Sequence, residues 1–122
     1  MEWVLWSVAI LLAIGFGFAG ITKVTRSRAE MLKAGMGWVD LYSDSFIKAL
    51  GGIELLGAVG LILPGALDIL PILTPIAASG FVIFMIGATW IHLRRHEPIS
   101  PTLVLGALSL FLAIMRFGPY PF

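Results

Sequence analysis

A chain of 122 residues is long enough for one domain, but 59% hydrophobic and only 12% charged residues exclude a soluble globule, where about a quarter carry charge. A net charge of +1, with no basic stripe interleaved with aromatics, gives no reason to expect a nucleic-acid partner. With 0 cysteines, disulfides, thiolate catalysis, Cys-ligated metal and CxxC relays are excluded, so any redox role falls to a bound cofactor or a partner.

The first apolar window is the 20 residues between Glu2 and Lys23. It is long enough to cross a hydrocarbon core as a helix, and it lacks the basic start of a secretory leader. A retained span over 3–22 is expected. Its Gly15, Gly17 and Gly20 spell GxGxxG, with Asp40 20 residues further on. A dinucleotide site needs a preceding strand and water-facing phosphates, so within a span these glycines are expected to serve close helix packing.

Residues 23–46 form the longest polar connection. Met31, Leu32, Met36, Trp38, Val39 and Leu41 alternate there with Arg28, Glu30, Lys33 and Asp40, the pattern of a short helix lying in the membrane interface. The second span is expected over 47–64, closed by Pro64-Gly65, and the third over 70–92, opened by Pro71. After a polar loop over 93–100, Pro98 and Pro101 introduce the fourth span at 101–116.

The expected architecture is therefore all-α: an integral membrane four-helix bundle of antiparallel up-down spans, a single membrane domain over 1–122. Lys23, Arg26, Arg28, Lys33, Lys48, Arg94 and Arg95 fall on one side of the alternating spans, and only Arg116 on the other. The positive-inside rule then makes 23–46 and 93–100 cytoplasmic, with both termini outside, as in a bacterial plasma membrane protein.

Among the acids, Glu54 alone falls at mid-membrane depth. A carboxylate there costs about 2.5–3.5 kcal/mol on insertion scales, so it should face the bundle interior. Gly51, Gly57 and Ala58 surround it at helical spacing and imply a close neighbouring helix. Glu54 is either a proton-exchanging or ligand-orienting group or a polar clamp between helices. Lys23, Lys48 and His92 lie toward the same end of the bundle. They are either interfacial anchors or, with Glu54, the lining of a ligand pocket in which Glu54 and His92 are candidate catalytic groups. His92 and His96 have a metal-compatible spacing, but no third ligand lies nearby and no metal site is expected. Arg116 is expected to be an interfacial anchor.

The run from Gly51 to Pro64 (GGIELLGAVGLILP), Leu73 to Ala78, Met85 to Ala88, His92 to Glu97, and Arg116-Phe117 resemble the DoxX-like family of small membrane proteins; Ala19 to Lys23 resembles its first-span ending. The resemblance implies a four-helix membrane bundle, with Lys23, Glu54, His92 and Glu97 at recurring polar positions. It also implies an accessory role beside a membrane oxidoreductase, with a quinone or other prenyl lipid as ligand. A small membrane enzyme doing acid/base chemistry at Glu54, and an assembly factor without catalysis, are the alternatives. Membrane lipid, a membrane-protein partner and a homo-oligomer are the expected associations. Where the family usually has Gly before the final Glu of the third-span tail, this chain has His96.

Overall fold

The computed structural model describes residues Met1–Phe122 and is built from helices alone. In chain order these are α1 (Glu2–Thr25), α2 (Arg28–Lys33), a 3-10 turn (Gly37–Leu41), α3 (Asp44–Leu67), α4 (Leu73–Arg94) and α5 (Ser100–Phe117). Four of them, α1, α3, α4 and α5, are long and apolar enough to cross a membrane. Each extends beyond its expected bounds at one end or both.

Successive long helices run antiparallel, and they pack in a closed ring in which α1 also meets α5. Leu5, Ala9, Leu12 and Phe16 recur at helical spacing on α1 and are buried at the centre with Leu61, Phe81, Met85 and Leu112. The Phe16 and Phe81 rings stack across the ring of helices at 3.8 Å, tilted by only 6°. The outside is equally apolar: Trp3, Ile14, Phe18, Leu56, Ile83 and Ile86 are all more than half exposed. Helices apolar all round are stable in contact with hydrocarbon.

The connection between α1 and α3 is capped and folded back. Ser27 and Glu30 form a reciprocal capping box at the start of α2, and Ser43 accepts from the Phe46 N–H at the start of α3. Gly35, at φ +89°, ends α2 in a conformation that favours glycine. What was expected as one interfacial helix is thus two short elements. Their Met31 and Val39 pack with Ile47 of α3 in a small core of their own.

Two proline expectations are corrected. Pro64 does not close its span, because α3 continues to Leu67 and ends with Asp68 in the left-handed conformation at φ 54°. Pro64 has no N–H for the Gly60 carbonyl one turn back, and the Thr74 hydroxyl of α4 donates to that carbonyl instead at 3.0 Å. Pro71 does not open the third span either; α4 starts at Leu73, and Pro75 occupies its first turn, where a missing N–H goes unneeded.

Candidate functional site: a buried ion pair beside an aromatic cavity

Gly20 of α1 and Gly51 of α3 bring the two helices almost into backbone contact. A Cβ at Gly20 would fall 2.7 Å from the Gly51 carbonyl oxygen, and one at Gly51 would fall 2.7 Å from the Gly20 carbonyl oxygen. Of the three glycines in the GxGxxG run, Gly15 and Gly17 have only ordinary contacts at 3.9 Å, so the close crossing depends on Gly20.

Three residues beyond each of these glycines, and hence on the same helix face, stands a charge: Lys23 on α1 and Glu54 on α3. Lys23 Nζ lies 2.5 Å from Glu54 Oε1. The approach is off the hydrogen-bonding direction, since Oε1 has no partner of hydrogen-bond geometry, so the contact is a charge pair. Only 7% of Lys23 and 1% of Glu54 is exposed, which fixes both as interior groups. The Lys23 ammonium also sits 5.5 Å from the centre of the Trp38 ring.

The pair lines a cavity of about 370 Å³. Phe16, Trp38, Tyr42, Phe46 and Phe84 supply aromatic walls, and His92 and Thr102 add polar groups from α4 and α5. A larger groove of about 610 Å³ between α3 and α4, lined by apolar residues such as Leu56, Leu63, Ile76 and Phe81, adjoins it through Phe84, which lines both.

The 3-10 turn is held over the cavity by Arg28. Its guanidinium donates to the Val39 carbonyl at 2.5 Å and the Tyr42 carbonyl at 2.6 Å, and pairs with Asp44 at 2.8 Å. On the α4 wall, His92 Nδ1 lies 3.1 Å from Glu97 Oε1, which also accepts from Arg95 Nε at 3.1 Å. A carboxylate can only accept, so Nδ1 carries the ring proton and Nε2 is left as the other hydrogen-bonding position. The His92 contact, reinforced by Arg95, holds Glu97 below the usual carboxylate range.

That wall ends in a defined turn. The Glu97 N–H bonds to the His92 carbonyl at 2.9 Å and the His96 N–H to the Leu93 carbonyl at 3.2 Å, with His96 at φ 56°. These paired bonds form a Schellman cap, whose left-handed position usually takes glycine. His96 thus adopts the conformation that a glycine there would supply.

Of the four candidate site residues, the structure brings Lys23, Glu54 and His92 to one cavity. Lys48 lies outside that cavity and donates to the Val24 carbonyl at the end of α1, at 3.0 Å. It is six residues before Glu54, on a different face of α3, and so meets the end of α1 instead. Arg116 is corrected from interfacial anchor to buried group. It is 3% exposed, donates to Glu2 at 2.9 Å and packs 3.8 Å from the Phe122 ring, because antiparallel α1 and α5 bring Glu2 to its end of the bundle.

Trp38, Tyr42 and Phe46, from the connection between α1 and α3 and the start of α3, are walls of this cavity. The signal that finds the pair is the matched spacing, Gly20-x-x-Lys23 on one span and Gly51-x-x-Glu54 on the next.

A four-helix integral membrane protein with an ion pair set inside its bundle is the class that this fold and site define. Within that class the chain belongs to the DoxX-like family, whose model matches residues 7–115. No curated protein and no solved structure matches the chain.

Proposed function

We propose that this DoxX-like protein is an accessory component of a membrane oxidoreductase system and binds a quinone or other prenyl lipid in the Lys23–Glu54 cavity. The observation that carries the proposal is a buried ion pair whose two residues line an aromatic cavity. Packing alone gives no reason for it, since desolvating two charges costs about as much as their attraction returns. A quinone carbonyl accepts from the Lys23 ammonium, and a quinol hydroxyl donates to the Glu54 carboxylate. Flat aromatic walls suit a planar head, and the adjoining apolar groove suits a prenyl tail.

In this reading the loops at 23–46 and 93–100 face the cytoplasm of a bacterial plasma membrane, and both termini lie outside. The test is extraction in mild detergent followed by mass spectrometry of the bound lipid. The wild type is expected to carry a prenyl quinone that Glu54→Gln and Lys23→Met lose. Bulk phospholipid alone in the wild type overturns the proposal.

A second reading rests on Glu54 and His92 lining the same cavity: acid/base chemistry on the lipophilic ligand, with Glu54 exchanging the proton. Turnover of the ligand by wild type but not by Glu54→Gln supports it, and equal turnover ends it.

A further inference from the structure

A second, smaller cavity of about 170 Å³ opens where α1 ends and α2 and α3 begin. Lys23, Arg26, Arg28 and Lys48 line it against a single carboxylate, Asp44, with the Ser27 hydroxyl among them. Two of the cations are neutralised: Lys23 by Glu54, and Arg28 by Asp44. Arg26 and Lys48 take part in no ion pair. The cavity therefore carries about two uncompensated positive charges.

Capping α1 accounts for little of this. Lys48 gives one N–H to the Val24 carbonyl and retains two, while the Arg26 guanidinium has no protein acceptor for any of its five. The Ser27 oxygen accepts from the Glu30 N–H, which leaves the hydroxyl proton free to donate. Cationic donors and a hydroxyl facing one small cleft match an oxyanion with several acceptor oxygens and a charge of about −1 to −2, which is a phosphate group. The cleft lies at the ends of two helices long and apolar enough to cross a membrane, where headgroups would meet them, and its size suits a headgroup rather than an acyl chain.

We infer that this basic cleft is a phosphate-binding site that takes the headgroup of an anionic phospholipid or free phosphate. It is separate from the ligand of the aromatic cavity, and Lys23, which lines both, is already held by Glu54.

Native mass spectrometry of the purified protein in neutral detergent tests it. The probes are phosphatidylglycerol and phosphatidylcholine of equal acyl length, with inorganic phosphate as competitor. Wild type is expected to retain phosphatidylglycerol about tenfold more tightly than phosphatidylcholine, and Arg26→Gln with Lys48→Gln to lose that preference. Both side chains are exposed, so this double variant keeps the fold. Lys33→Gln with Arg94→Gln removes the same charge away from the cleft and should leave the preference intact. Displacement by inorganic phosphate identifies the oxyanion alone as the ligand, and resistance to it identifies the lipid headgroup; both outcomes support the site. No preference in wild type, or equal loss in the two double variants, overturns it.

Discussion

Lys23 Nζ and Glu54 Oε1 meet at 2.5 Å inside the bundle, one residue from α1 and one from α3, each three positions beyond the glycine at which those helices cross. Removing one partner leaves the other charge buried and uncompensated. Lys23→Met or Glu54→Gln should each lower stability by about 3–5 kcal/mol, while the double variant should recover most of that loss. Thermal unfolding in detergent measures both. Ligand retention should not return with stability in the double variant, which separates the binding role of the pair from its structural one.

The glycines of α3 should respond oppositely to the same change. At Gly51 an added methyl meets the Gly20 carbonyl and Lys23 Cβ, both at 2.7 Å, whereas at Gly52 nothing lies within 4 Å. Gly51→Ala is expected to force α1 and α3 apart and destabilise by about 1–3 kcal/mol. Gly52→Ala should be neutral or stabilise by up to about 1 kcal/mol through helix propensity. Comparing their unfolding midpoints checks the crossing.

Thr74 is fully buried, and its hydroxyl replaces the N–H that Pro64 cannot offer to Gly60. Thr74→Val keeps the shape and leaves that carbonyl unpaired, a loss of about 1–3 kcal/mol. In a Pro64→Ala background the alanine N–H restores the intrahelical bond. The cost of Thr74→Val should then shrink, and an unchanged cost would exclude the compensation.

His96 holds a left-handed conformation at φ 56°, which a β-carbon makes unfavourable by about 1–2 kcal/mol. His96→Gly removes that strain at some cost in chain entropy, so a gain of about 0.5–1 kcal/mol is expected. A rise in thermal midpoint without change in helicity is the measurement.

Glu97 bonds to His92 and Arg95, and its pKa is lowered from the ordinary value of 4.5 in the fold. A depressed folded-state pKa gives stability that is fully present above about 4.5 and is lost as pH falls through the lower folded value. Wild type should therefore exceed Glu97→Gln in unfolding midpoint at neutral pH, with the gap closing as the solution is taken below pH ~4. A gap independent of pH would show that the carboxylate's charge is not what supports the turn.

Much of this protein was legible in its sequence because a membrane sets a one-dimensional requirement. A run of apolar residues long enough to cross hydrocarbon is visible without any knowledge of neighbours, so the long helices and their order could be read from the uncharged windows. The depth of Glu54 followed from the same count. Exact ends did not: a bond from Thr74 of α4 serves the carbonyl that Pro64 leaves free as α3 runs on to Leu67, and a turn over 69–72 precedes α4, which begins at Leu73.

What the sequence determined by itself was depth: which residues lie in the apolar layer, and which charges approach its middle. Only the tertiary structure decided rotation and partnership. Lys23, Lys48 and His92 all lie toward the same end of the bundle, yet Lys23 alone pairs with Glu54, His92 joins their cavity from α4, and Lys48 turns to the end of α1. Depth depends on position along one helix, whereas contact depends on how each helix is turned and how closely it approaches the next. Here that approach is set by Gly20 against Gly51, two residues distant in sequence whose contact exists only in the folded bundle.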